Sequence, residues 1–416
     1  MSNKVVDACL WCKNKKLDLF CAREDDISIL ECQNCKLIML GEVPVDLKEA
    51  YYNEDYYTNS ERNVVEKAGY DEVYELMAPA FLMWEQSVIA TLSRINKSKT
   101  RLLEVGCATG ALLDMTKELN PDIEVTGIDI SDYAAWVCNQ KGHEAYAIQV
   151  EEFHAKNNYD IIFSSETLEH LDEPMGFLHG IKQNLNKDGV FVFYVPSISR
   201  ADALEHKTKY VRFVNNLEHL LHFTPEFLQG ALTETFGKEV IIKEFDAGFG
   251  PYIVGAVTSS KKYASEFSEI MDAVQNEKTS SKDTKKLIDI AVISLKFGKF
   301  EFAQKLKNLI SALQKSQDKS VLLEGLMGYH KGEIINSSKS FEKYLTKNPT
   351  SLLAIKSLYA NERILKKMYE VELYTKIKEL EMLKLNESHT NKNRRPIQST
   401  VNRAKRAINN IYTKSN

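Results

Sequence analysis

No apolar run in the 416 residues approaches the roughly 20 that cross a bilayer, which excludes a helical membrane span. The opening stretch, MSNKVVDACLWCKNKK, lacks the apolar core of a secretory leader, so a cytoplasmic protein is expected. A strong excess of one charge sign is missing too. With 54 basic residues against 58 acidic ones the net charge is -4, too balanced for whole-chain attraction to nucleic acid or an acidic membrane. A disulfide framework is equally absent: four of the seven cysteines fall in two Cys-x-x-Cys pairs, a grouping that suits a reducing compartment. What is present is a hydrophobic fraction of 44%, enough for a buried core. At ~150 residues per domain the length calls for two or three units.

The patterning divides the chain into a cysteine-rich piece over 1–45, a linker and helical cap over 46–98, and an α/β unit over 99–260. In the cap, Val73, Leu76, Met77, Ala80, Phe81, Trp84 and Val88 recur at helical spacing. In the α/β unit the runs RLLEV, IEVTGID, EAYAIQV, YDIIFSS, GVFVFYVP, EVIIKEF and YIVGAVT alternate with helical stretches. That alternation predicts a doubly wound, mostly parallel seven-stranded sheet of Rossmann-like type, with the last two runs as a closing antiparallel hairpin. Residues 261–284 read as a linker or peripheral helix, and 285–385 as helices. Gly298 and Gly332 lie 34 residues apart, each followed two positions later by an apolar residue, Phe300 and Ile334. That period, with Gly325, Phe341, Tyr344 and Pro349, resembles a tetratricopeptide array, a protein-docking platform, though a plain helical bundle shares much of the pattern. Residues 386–416 form a basic tail, expected to be unstructured: from Ser388 on it holds seven Lys or Arg and no acid.

Cys9-x-x-Cys12 and Cys32-x-x-Cys35 are 19 residues apart, the spacing of a two-knuckle zinc ribbon. Four thiolates can close a tetrahedral site at Zn–S distances of roughly 2.3 Å and leave no open position, so the ion would be structural. Cys21 stands outside the pairs. The ribbon has no regular stripe of aromatic and basic residues, which disfavours nucleic-acid binding.

The most informative segment is LLEVGCATGALLDMTKEL, Leu102 to Leu119: a strand, a turn through Gly106 and Gly110, then a helix. Glycines there allow close approach of a ligand to backbone. Asp129 ends the next strand, where a carboxylate can accept bonds from ribose hydroxyls. A dinucleotide turn needs a third glycine, which is lacking, and Glu104 at the mouth would repel a pyrophosphate while suiting a cationic amino-acid group.

Glu104, Gly106 and Gly110 in the Glu-x-Gly-x-x-x-Gly pattern, with Asp129, resemble motif I of class I S-adenosylmethionine-dependent methyltransferases. EEFHAKNNYDIIFSSETLEHLDEPMGFL and NLEHLLHFTPEFL extend the resemblance toward the methyltransferase-11 and -23 groups over about 101–258. The resemblance implies that Glu104, Gly106, Cys107 and Gly110 flank the methionine part of the cofactor, and that Asp129 and Ile130 hold the ribose. It further implies that Gln149, Val150 and Glu151 border the adenine, while Ser164 to Glu166 border the methionine end. A zinc ribbon followed by YYNEDYYT, a helical cap and this core is an order seen in methyltransferases of surface-glycan and deoxysugar pathways. Sugar C-methyltransferases of that layout carry a Tyr where this chain has Asn216, so oxygen of a sugar or other small polar metabolite is the expected acceptor.

A hydroxyl acceptor calls for a general base. His219 is the first candidate, then His170 and Glu218; His222 would share a face with His219 if that stretch were helical. Each histidine also has a purely structural reading as a packed, satisfied ring. Two other functions stay open: a partner-binding scaffold whose central domain binds cofactor without turnover, and a nucleic-acid methyltransferase, supported only by the basic tail.

Overall fold

The structure, a computed structural model, describes residues 3–23, 26–46, 52, 56–57, 82–96, 99–198, 218–246, 250–312, 317–348, 354, 357, 358 and 361. Residues 1–358 form one compact unit; of the second, 359–416, only Asn361 is described. The cap positions Val73 to Phe81, most of Tyr51–Thr58 and the basic tail lie outside the described residues.

The cysteine-rich piece is built from short strands: β1 (Asn3–Val5), β2 (Leu17–Ala22), β3 (Ser28–Cys32), β4 (Ile38–Leu40) and β5 (Glu42–Pro44). β1 pairs with β5, and β2, β3 and β4 form an antiparallel meander. Helix α1 (Met83–Ser93) precedes the α/β unit, which runs β6 (Arg101–Val105), α2 (Ala111–Leu119), β7 (Glu124–Asp129), α3 (Asp132–Gln140), β8 (Glu144–Ala147), β9 (Tyr159–Ser165), α4 (Pro174–Asn184) and β10 (Leu185–Pro196). After a two-residue strand, β11 (Leu221–His222), come α5 (Pro225–Phe236), β12 (Glu239–Asp246) and β13 (Pro251–Thr258). The seven-stranded order is β12-β13-β10-β9-β6-β7-β8, antiparallel only where β13 meets its two neighbours. Each expected run forms a strand, and the expected terminal hairpin is β12–β13. Local signals explain the helix starts: the Ser131 and Thr224 hydroxyls accept from Ala134 N and Phe227 N, and proline opens α4 and α5. The core is the middle of the sheet, where Ile161, Ile162, Phe163, Val190, Phe191, Val192 and Phe193 are fully buried.

Of 261–284, read as a linker or a peripheral helix, the first part is a helix: α6 (Lys261–Asn276) buries Tyr263, Phe267, Ile270, Met271 and Val274. One boundary differs from the sequence reading: the ribbon is not a separate unit, because β11 joins its sheet as the neighbour of β4. Beyond α6, α7 (Thr284–Lys296) and α8 (Phe300–Ala312) form one helical hairpin and α9 (Gln317–His330) and α10 (Ile334–Leu345) a second. Gly298 and Gly332 occupy the two hairpin turns at φ +68° and +73°, the left-handed conformation that ends a helix without a Cβ penalty. The first hairpin is fastened to the α/β unit: Phe297 stacks on Phe245 at 4.2 Å, Arg94 pairs with Asp289, and Asp289 also accepts from Thr91 at 2.9 Å.

Candidate active site

The strand order reverses between β9 and β6, so a crevice opens beyond their C-terminal ends, where doubly wound sheets hold ligands. The loop after β6 is folded onto β7 by Gly106 N–H and Cys107 N–H, which both donate to the Ile128 carbonyl at 2.8 and 3.0 Å. Gly106 and Gly110 both stand at φ +82°. A Cβ on Gly106 would lie 2.3 Å from the Thr167 hydroxyl, so the turn tolerates no side chain there.

Asp129, at the end of β7, accepts Ala108 N–H on Oδ2 and Ser131 N–H on Oδ1, each at 2.9 Å, with the Tyr57 hydroxyl 3.5 Å from Oδ1. Burial raises its pKa and these donors pull it back down. Glu104 is buried, and its Oε2 has no hydrogen-bond partner among the described residues. Burial, with Glu85 adding like charge, lifts its carboxyl well above the usual range. Glu85 on α1 accepts the Ser165 hydroxyl at 2.8 Å and is pushed by burial to about 8, with Lys296 pulling the other way. Buried, under-satisfied carboxyls are ionised most readily by a cation placed against them, so the crevice suits a cationic group better than a phosphate. These carboxyls therefore fit the amino-acid and sulfonium end of S-adenosylmethionine, and the Asp129 carboxylate fits a ribose diol.

The expected cofactor residues gather on this edge. Glu104, Gly106, Cys107 and Gly110 surround the first turn, Asp129 ends β7 and Ile130 follows it. Val150 and Glu151 follow β8; the Glu151 carboxylate lies against Gly176 of α4. Ser164 and Glu166 lie at the end of β9, with Glu166 in a left-handed conformation at φ +49° and its N–H donating to the Tyr194 carbonyl at 2.8 Å.

A second cluster follows Thr167, whose hydroxyl lies against Gly106. A one-turn helix over Leu168–His170 is tied to residues 218–220 by Leu220 N–H donating to Glu169 O at 2.8 Å and His170 Nδ1 donating to Glu218 O at 2.9 Å. The His170 and His219 rings meet edge to face at 4.8 Å, and the Tyr56 hydroxyl donates to Glu218 at 3.1 Å. Burial pulls His170 down to about 4, so its ring is neutral. The structure thus brings His170, Glu218 and His219 together and leaves out His222. His219 and His222 share no helix face, because Leu221–His222 is a strand; His222 sits opposite Ile38 in the ribbon sheet, buried beside Arg23. The sequence reading missed Glu85, Glu169 and the role of Tyr57. Only Tyr57 had a signal, in the tyrosine run YYNEDYYT.

In the ribbon, Cys9 and Cys35 sulfurs are 3.5 Å apart, as are Cys12 and Cys32, and all four lie within 4.8 Å of one another. Tetrahedral zinc at Zn–S of 2.3 Å needs sulfurs roughly 3.8 Å apart, so the quartet fits that ion.

Residues 80–241 match the family model for a methyltransferase domain, Methyltransf_23. The chain carries a methyltransferase domain. The malonyl-[acyl-carrier protein] O-methyltransferase of Acetivibrio thermocellus is 29% identical over 136 residues, 32% of this chain and 46% of that protein. The enzyme of the same name from Bacillus anthracis is 28% identical over 113 residues, 26% of this chain and 42% of its own. The chain thus spans less than half the length of these curated relatives. Among solved structures, the plantazolicin methyltransferase BpumL in complex with SAH is similar at 12% identity, covering 49% of this chain and 92% of that one, with a TM-score of 0.38.

Proposed function

We propose that the protein transfers a methyl group from S-adenosylmethionine to an oxygen of a sugar or another small polar metabolite in glycan biosynthesis. The observation that carries this reading is the pairing of a buried Glu104, whose Oε2 has no hydrogen-bond partner among the described residues, with Asp129 across one glycine turn. S-adenosylmethionine supplies a methyl carbon on a cationic sulfur. Glu104 takes the cationic amino-acid end, Asp129 the ribose hydroxyls, Val150 and Glu151 border the adenine, and Ser164 to Glu166 border the methionine end. Gly106 lets backbone rather than side chain face the ligand.

His170, Glu218 and His219 form the acceptor side, where the acceptor hydroxyl is positioned and deprotonated. Most of the rate comes from holding its oxygen at a near-attack distance of roughly 3–3.5 Å from the methyl carbon. The O-methyltransferase names of the relatives support oxygen as acceptor. The Cys9, Cys12, Cys32 and Cys35 quartet holds structural zinc in this reading, and the two helical hairpins, offset by the tetratricopeptide period, serve a protein partner.

The test is calorimetric titration of the full chain with S-adenosylmethionine, followed by mass spectrometry of glycan precursors incubated with the pair. One-to-one binding, lost in Asp129→Ala, and a precursor gaining one methyl group are expected. Absence of binding at millimolar ligand would refute the reading, and binding with no methylated product would favour the scaffold alternative.

A further inference from the structure

We propose that Glu169, His170 and His219 form a binding site for a divalent transition-metal cation, placed against the acceptor oxygen. The inference rests on the methyltransferase reading for what the ion would do, but not for its existence. Glu169 Oε, a His170 ring nitrogen and a His219 ring nitrogen lie within 4.8 Å of one another. Glu169 is 1% exposed, and neither of its carboxylate oxygens has a hydrogen-bond partner among the described residues. A buried carboxyl with both oxygens unsatisfied is costly: burial and the like charge of Glu166 raise its pKa, and its own backbone N–H alone pulls it down. Something positive is wanted there.

The hydrogen bonds select which atoms face it. The Glu218 carbonyl can only accept, so His170 carries its proton on Nδ1 and presents the Nε2 lone pair. That lone pair stands 3.9 Å from Glu169 Oε1, too far for a hydrogen bond and shorter than twice a metal–ligand bond of roughly 2.1 Å. Two acceptor atoms facing each other across such a gap repel when it is empty and coordinate when an ion fills it. A backbone carbonyl holding the far nitrogen is also the usual way a ligating imidazole is oriented. The third ligand, His219, meets the His170 ring at 4.8 Å.

Two imidazoles and one carboxylate select manganese, iron, cobalt or zinc over the oxygen-seeking magnesium and calcium, and three protein ligands leave positions open. Thr167, whose hydroxyl sits against Gly106, places this cluster beside the cofactor turn. An acceptor hydroxyl bound to the ion would lose its proton to solvent at neutral pH. Its oxygen would then bond to the methyl carbon as the carbon–sulfur bond breaks and the sulfonium leaves as a neutral thioether. The ribbon thiolates are a separate and chemically softer site.

The experiment uses the full chain with one equivalent of zinc in the ribbon, titrated with Mn2+ alone, an ion that thiolates hold poorly. Free Mn2+ is read by electron paramagnetic resonance and the melting temperature is followed in parallel. One Mn2+ per chain and a raised melting temperature are expected. Glu169→Gln and His219→Ala should each weaken binding at least tenfold, roughly the least that loss of even an outer partner of a ligand produces. Both variants should keep the S-adenosylmethionine-induced melting shift, which certifies their fold. No bound Mn2+ in the wild-type chain, or equal binding in both variants, would overturn the site. A normal S-adenosylmethionine shift in that event would leave the methyltransferase reading standing, with Glu169 a protonated buried acid.

Discussion

Oδ2 of Asp129 accepts the backbone N–H of Ala108 at 2.9 Å. The bond crosses from the end of β7 to the glycine turn after β6, so the group expected to hold the ribose also sets the shape of the turn that faces the methionine end. Its other oxygen accepts Ser131 N–H at 2.9 Å, so both oxygens are committed to backbone donors.

Asp129→Asn should therefore harm more than ligand contact. An amide has one acceptor oxygen, so its NH2 group would face either Ala108 N–H or Ser131 N–H, donor against donor. The loss is expected to be about 1–3 kcal/mol of stability, with S-adenosylmethionine binding lost as well. Thermal melts with and without ligand check both.

Glu104 and Glu85 make the ligand-free protein pH-sensitive. Burial lifts both folded pKa values above the unfolded ones, so the folded chain binds these protons more tightly. Stability from this source is fully present below the unfolded values and falls as pH rises, for Glu85 between 4.5 and about 8. Glu104→Gln, neutral throughout, should flatten part of that fall, raise the ligand-free melting temperature at neutral pH, and abolish the S-adenosylmethionine shift. A variant that melts lower than wild type at neutral pH yet keeps the shift would contradict this.

Loss of the proposed zinc from the ribbon should reach the proposed acceptor side. Leu40 N–H donates to the Leu220 carbonyl at 2.9 Å, and His222 is paired with Ile38, so the ribbon sheet holds the strand that follows His219. Cys32→Ser is expected to reduce methyl transfer at least tenfold while S-adenosylmethionine still binds; the scale follows from the sensitivity of rates to ~1 Å misplacement. Calorimetry and product formation on the same sample separate the two effects.

Phe297→Ala tests whether the helical hairpins are an independent appendage. The ring is buried, stacked on Phe245 at 4.2 Å and edge-on to Trp84 at 5.8 Å. Truncation should destabilise the whole unit by about 3–5 kcal/mol in a single denaturation transition. Two separate transitions would show that the helices fold alone.

These couplings mark what sequence reasoning could reach. The strands of the sheet were legible because each is an apolar run bounded by turns. Glu104 and Asp129 were legible because strand ends fix their place relative to Gly106 and Gly110. Glu85 and Glu169 were not, since nothing local distinguishes a buried acid on a cap helix or short turn from a solvated one; their burial is made by packing from distant segments. The histidines show the opposite error. A spacing of three suggested one helical face for His219 and His222, but pairing of Leu221–His222 with β4 overrode local periodicity and turned His222 into the ribbon. At 261–284 the polar composition left a linker and a peripheral helix both open; the helix, α6, forms with its apolar stripe buried.

The most direct test is a crystal structure of the chain grown with S-adenosylhomocysteine. The account predicts ribose hydroxyls on the Asp129 carboxylate and the amino-acid end beside Glu104 and Gly106. Density for the ligand elsewhere, or a crevice that stays closed by side chains at saturating ligand, would contradict it.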